Sequence, residues 1–169
     1  SLVQEHEPEV VVELGSGSST VVLGYAIEQQ GRGRVIALDH LASYGGETRT
    51  TLARHGLSDW AEVRHAPLQD VSLNGESWPW YDPAALEDQS TIDMVLVDGP
   101  PHELRSQARY PALPLLADRL SETAILVLDD AYREEEASIA EAWCEQFPDF
   151  DLEIRESPYG TAVLQRSTT

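Results

Sequence analysis

The chain has 169 residues, 41% of them hydrophobic, with 30 acidic and 11 basic side chains and a formal net charge of -19. That balance excludes nucleic acid and anionic membrane surfaces as main partners, because no cluster of basic residues offsets the repulsion. The single cysteine, Cys144, excludes an internal disulfide framework and a cysteine-built zinc site.

Length and composition point to one folded domain spanning residues 1–169. No apolar run approaches the ~20 residues needed to cross a bilayer, and no secretory signal opens the chain, so a cytoplasmic location is expected. Every basic side chain is arginine. An acidic surface without lysine suits a high-salt cytoplasm, where screening relieves self-repulsion, and it equally suits a GC-rich coding sequence.

In chain order, Val10–Leu14 is a short β-branched run ending at glycines. Ser19–Gln30 reads as a helix stopped by Gly31-Arg32-Gly33. Val35–Asp39 is a second strand, Tyr44–His55 a second helix ended by Gly56, and Ala61–His65 a third strand. Val71–Thr91 is expected to be a long loop carrying Trp78-Pro79-Trp80-Tyr81, whose rings could stack on a sugar or aryl substrate or only pin the loop. Ile92–Val97 and Ala124–Leu128 are almost wholly apolar, as strands buried on both faces of a parallel sheet are. Ala108–Leu120 and Arg133–Phe147 read as helices around the fifth strand. Phe150–Glu156 and Thr161–Arg166, split by Ser157-Pro158-Tyr159-Gly160, read as a closing hairpin. The alternation predicts an α/β fold, a Rossmann-like doubly wound sheet that is mostly parallel and ends in an antiparallel strand.

Ligands of such sheets bind beyond the carboxyl ends of the strands. Those ends read Glu13-Leu14-Gly15-Ser16-Gly17, Asp39-His40, His65-Ala66-Pro67, Asp98-Gly99-Pro100-Pro101 and Asp129-Asp130. The glycine turn opening a helix offers free N–H groups and close approach to the backbone. Asp39, roughly twenty residues further on, is placed to accept the hydroxyl protons of a ribose. The turn lacks the third glycine of a dinucleotide fingerprint, and Glu13 disfavours a pyrophosphate. A carboxylate there suits a cationic ligand such as S-adenosylmethionine. A nicotinamide-dependent oxidoreductase is the less favoured alternative.

The Glu-Leu-Gly-Ser-Gly turn, the acid ending the second strand and Ile92-Asp-Met-Val-Leu-Val-Asp-Gly-Pro-Pro101 resemble class I S-adenosylmethionine-dependent methyltransferases over about Val10–Arg166. Asp98 with Leu126-Val-Leu-Asp-Asp-Ala-Tyr132 further resembles their metal-dependent O-methyltransferases, the catechol-type and sugar enzymes. The resemblance implies Glu13, Gly15, Ser16 and Gly17 around the methionine end of the cofactor and Asp39 on the ribose. It implies His40, His65, Ala66, Leu68 and Asp98 around the rest of the cofactor, with His65, Ala66 and Leu68 beside the adenine. Asp98, Asp129 and Asp130 match the metal-binding positions. The chain departs from the family at Ser18 and Ser19, where many members have a glycine or an aromatic, and at His65-Ala66-Pro67, where many have an aspartate.

Three converging carboxylates at ~5 Å would repel by roughly 3 kcal/mol per pair at an effective dielectric of about 20. A divalent cation removes that cost, and an all-oxygen site suits Mg²⁺ or Ca²⁺. Alternatively, Asp98 orders its loop and the aspartate pair caps the next helix. Asp98 and His102 are the catalytic candidates, with His102 as an optional base. His40 and His65 are expected to pack rather than react. Arg105 and Arg133 flank the same mouth and are candidates for an acidic substrate group. Trp60, Trp143 and Cys144 are expected in packing.

The expected activity is in-line methyl transfer to an oxygen of a small hydroxylated acceptor, a sugar or similar. Related enzymes carry N-terminal helices over the acceptor site, whereas this sequence reaches its first strand almost at once. The alternative is therefore a cofactor-binding domain without turnover of its own, completed by a homodimer partner or another domain.

Overall fold

A computed structural model describes residues 1–167. Its elements are α1 (Leu2–His6), β1 (Val10–Leu14), α2 (Ser18–Gln30), β2 (Arg34–Asp39), α3 (Ala42–Arg54), β3 (Ala61–His65), β4 (Leu68–Leu73) and β5 (Glu76–Tyr81). They continue with β6 (Ile92–Val97), α4 (Ala112–Leu116), β7 (Leu120–Asp129), α5 (Glu134–Gln146), β8 (Phe150–Arg155) and β9 (Thr161–Arg166). Seven strands form one sheet in the order β3-β2-β1-β6-β7-β9-β8. Pairing is parallel from β3 to β7, and antiparallel for β7 with β9 and β9 with β8. The expected doubly wound sheet with a closing hairpin is present.

Alternation along the strands divides the core. Val11, Val35, Ala37, Val63, Ile125 and Val127 face α1, α2 and α3, where Val3, Leu23, Ile27 and Leu52 meet them. Val12, Ile36, Leu38, Val95, Leu126 and Leu128 point the other way, onto Leu113 of α4 and Ile139, Ala140 and Trp143 of α5. Trp143 is fully buried, and its indole N–H donates to the Tyr110 carbonyl at 2.8 Å, so the ring is packed without an unpaired donor. A ring so placed contributes roughly 3–5 kcal/mol. Among the described residues, no helix is long and apolar enough to cross a membrane.

Three elements differ from expectation. Val71–Thr91 is no open loop: β4 and β5 pair from Leu68↔Tyr81 to Leu73↔Glu76, and a 3₁₀ turn follows at Pro83–Leu86. The hairpin turns through Asn74-Gly75, both at positive φ (54° and 79°), the pair of conformations a two-residue turn needs to match the strand twist. Alternation then places Trp78 and Trp80 inward, 5% and 4% exposed, and neither presents a face to a substrate. The helix expected at Ala108–Leu120 shrinks to Ala112–Leu116 plus a 3₁₀ turn, because Pro111 has no N–H to extend a helix from upstream. Finally, the N-terminus forms a short helix, α1, closed by a capping box between Ser1 and Gln4.

Candidate active site

Beyond the ends of β1, β2 and β6, the sheet gathers three carboxylates on short leashes. Glu13 faces α2 and is fully buried. It accepts from the hydroxyls of Ser19 and Thr20 in the first turn of α2, and the Gly17 N–H donates to the Thr20 hydroxyl at 3.0 Å. Burial pushes the Glu13 carboxyl up to about 7, against the two hydroxyl bonds and with help from the negative charges of Asp98 and Asp39. Asp39 is 6% exposed. One of its oxygens takes the Ser16 hydroxyl, which also lies 3.1 Å from the Thr48 hydroxyl, and the other accepts the Leu41 N–H at 2.9 Å. The Gly15 N–H donates to the Leu38 carbonyl (2.9 Å) and the Asp98 N–H to the Leu14 carbonyl (3.0 Å), so the three strand ends are sewn together.

The sequence-predicted cofactor residues are partly assembled here. Glu13, Gly15, Ser16, Gly17 and Asp39 form one continuous wall. Ala66 joins them, since its N–H donates to the Asp39 carbonyl at 2.8 Å. His40 lies edge-on to Tyr81 with ring centres 6.5 Å apart. His65 is exposed, and Leu68 is the first residue of the hairpin, packed against the core.

Tyr81 is a residue whose place at the site sequence reasoning missed, having grouped it with Trp78 and Trp80 in a loop. It is 2% exposed, and a Cβ built on Gly99 would come within 2.2 Å of its hydroxyl, so only glycine at 99 admits the ring. Burial first, then the Asp39 charge, drives its phenol well above the usual range. The Asn74-Gly75 pair followed by alternating aromatics carried the information that would have placed it.

The acceptor side lies beyond β6 and β7. Burial, with Asp129 and Asp130 nearby, raises the Asp98 carboxyl from its ordinary value, while the Arg109 guanidinium opposes this. Arg109 is the second missed residue. Its side chain is 6% exposed and lies 3.7 Å from the Asp98 carboxylate, 3.6 Å from Asp130 and 3.7 Å from Glu136. It also donates to the carbonyls of Asp98 (3.2 Å) and Pro100 (3.4 Å). Asp130 adopts a left-handed conformation (φ 60°) and pairs with Arg133 at 3.1 Å. Among the described residues, no group of three histidine, cysteine, aspartate or glutamate side chains is placed to hold a metal ion. The expected Asp98–Asp129–Asp130 site for Mg²⁺ or Ca²⁺ is not among such groups. Two of its three carboxylates already face a guanidinium, and nothing in sequence spacing reveals a buried arginine arriving from the segment after β6.

His102 sits in a 3₁₀ turn, half-exposed, with its Nδ1 3.4 Å from the Arg133 guanidinium. Arg105 departs from expectation. Its guanidinium stacks 3.4 Å from the Trp78 ring centre and donates to the Ser77 carbonyl at 2.7 Å, so it fastens the hairpin instead of lining the mouth. Exposed aromatic surface at this end comes from Tyr132 and Tyr159, joined by the Tyr132 N–H to the Tyr159 carbonyl at 3.0 Å.

Known proteins share this fold. A comparison with curated protein sequences finds no match. An O-methyltransferase from Bacillus cereus, solved with S-adenosylhomocysteine, is 16% identical, covers 98% of this chain and 77% of its own, and has a TM-score of 0.72. The O-methyltransferase TomG of tomaymycin synthesis from Streptomyces achromogenes, solved with S-adenosylmethionine, is 13% identical, with 99% and 77% covered and a TM-score of 0.70. A precorrin 8w decarboxylase from Methanobacterium thermoautotrophicum is 23% identical, with 99% and 87% covered and a TM-score of 0.64, so this likeness is one of fold and not of a single chemistry. Residues 12–131 match the family described as a methyltransferase domain, and the chain belongs to that family.

Proposed function

We propose that the chain binds S-adenosylmethionine at the ends of β1, β2 and β6 and methylates an oxygen of a small hydroxylated acceptor. The observation that carries this reading is the gathering of three carboxyl groups, Glu13, Asp39 and Asp98, at the ends of β1, β2 and β6. Such a gathering favours a cationic ligand and repels a pyrophosphate, which counts against a nicotinamide dinucleotide.

When bound, S-adenosylmethionine supplies an electrophilic methyl on a sulfonium. The residues present fit it: Asp39 and Asp98 offer carboxylates, Asp39 keeps acceptor capacity for ribose hydroxyls, Glu13 is buried behind the glycine turn, and Tyr81 with Ala66 gives an apolar flank. Asp98, His102 and Arg133 face the acceptor side. Asp98, whose carboxyl burial raises from its ordinary value, and a half-exposed His102 are the two groups placed to take the acceptor's proton. Tyr132 and Tyr159 offer ring surface to a sugar or aryl acceptor, the part that Trp78 and Trp80 do not play. Catalysis by such a site is chiefly alignment of two reactants, which the sewn strand ends favour.

Calorimetric titration with S-adenosylhomocysteine, with NAD as comparison, tests the cofactor. Binding of the first and not of the second is expected. Asp39→Ala should weaken it roughly 10–100-fold, the worth of hydrogen bonds to a charged acceptor. Asp39→Asn, which keeps a side-chain oxygen for the Leu41 N–H, controls for loop collapse. Binding of NAD alone would overturn the reading. Binding without turnover on any hydroxylated acceptor would favour a cofactor-binding domain that needs a partner.

A further inference from the structure

The acceptor side carries a buried ionic cluster whose centre is a side chain. Arg109 reaches three carboxylates from three places: Asp98 after β6, Asp130 after β7 and Glu136 in the first turn of α5. Glu136 is 2% exposed and Arg109 has a 6% exposed side chain, so neither charge is dispersed by water. One nitrogen of Arg109, Nη1, and one oxygen of Glu136, Oε2, are buried without a hydrogen-bond partner. A guanidinium in contact with three carboxylates, with polar atoms to spare, holds the position that a bound cation would otherwise take.

A divalent ion binds carboxylate oxygens at about 2.0–2.6 Å, and a guanidinium fixed among them repels it. Here the nearest distances run from the carboxylates to nitrogen, at 3.6–3.7 Å for Arg109 and 3.1 Å for Arg133. A guanidinium stays charged at any working pH and is part of the chain, so neither chelation nor dilution removes it. It also does what a spherical ion does not. Its N–H groups reach the carbonyls of Asp98 and Pro100, which fixes the backbone that presents Asp98.

We propose that Arg109 is the resident cation of the acceptor side and a positioning residue for Asp98, and that this site takes no divalent metal. The inference rests on the methyltransferase reading only in naming this face the acceptor side. The exclusion of metal by Arg109 is independent of it.

Mn²⁺ titration of the full chain, followed by the electron paramagnetic resonance signal of the aqueous ion, tests this. Salt is kept high enough to screen the acidic surface. The wild-type chain should leave the Mn²⁺ signal undiminished. Arg109→Gln, which keeps amide donors but drops the charge, should bind one equivalent and diminish the signal, and Arg109→Lys should restore exclusion. An unpaired structural arginine would not produce that gain. Stoichiometric Mn²⁺ binding by wild type that is lost in Asp130→Asn would overturn the proposal, and this arm stands even if Arg109→Gln does not fold. A folded Arg109→Gln chain that binds no Mn²⁺ would also overturn it. Calorimetry with S-adenosylhomocysteine on the same wild-type sample separates the readings: loss of cofactor binding sinks the methyltransferase assignment and leaves the metal result intact.

Discussion

Glu13 is held in surroundings that oppose its own charge. Below pH 4.5 its carboxyl is neutral in the folded and the unfolded chain alike, and between there and about 7 only the unfolded chain ionises it. The stability it contributes is thus full at low pH and lost as pH rises through 7. Glu13→Gln should match wild type near pH 4.5 and exceed it by on the order of 3 kcal/mol above pH 7, read from denaturant midpoints across that window. A constant difference across the window would contradict the burial argument. Glu13 and Asp39 were legible in the sequence because a strand end fixes where a side chain must go. Asp98, Asp129 and Asp130 were legible as strand-end acids too. Their company was not, since Arg109 and Glu136 reach them from segments whose spacing carries no period.

At the scale of elements, the β4–β5 hairpin takes the place of a loop between β3 and β6 and delivers Tyr81 to the site. Two fastenings hold it. One is the Asn74-Gly75 turn, and the other is Arg105 on Trp78 and the Ser77 carbonyl. Arg105→Ala should lower stability by about 1–2 kcal/mol, with one stacked cation and one carbonyl bond removed, as measured by chemical denaturation. Unchanged stability would mean that the Asn74-Gly75 turn and the packing of Trp78 and Trp80 hold the hairpin without Arg105. The turn was readable from Asn-Gly followed by alternating aromatics. Their bulk suggested a binding loop, yet a period of two sends Trp78 and Trp80 inward. The Ala108–Leu120 helix failed for a plainer reason, the prolines at 111 and 114 inside an otherwise apolar stretch.

At the scale of the whole molecule, strand–helix alternation and wholly apolar strands gave away the sheet, its layers and its antiparallel finish, because burial on both faces leaves a pattern that few other folds share. The net charge of -19 has its own consequence. Most of the ion pairs are partly or largely exposed and contribute little each, so salt should cost the fold less through them than it gains by screening mutual repulsion. The thermal midpoint should rise by several degrees from low salt to molar sodium chloride, as followed by scanning calorimetry. A fall would show that the pairs outweigh the repulsion.

The placement of β9 between β7 and β8 also sets a timetable for synthesis. The ribosome delivers β7 roughly thirty residues before β9, from Asp129 to Thr161. Until then a ten-residue strand at the heart of the future sheet offers a bare row of amides and carbonyls along one side. The nascent chain passes through an interval in which that side of β7 is adhesive, open to pairing with a neighbour's strand on the same polysome.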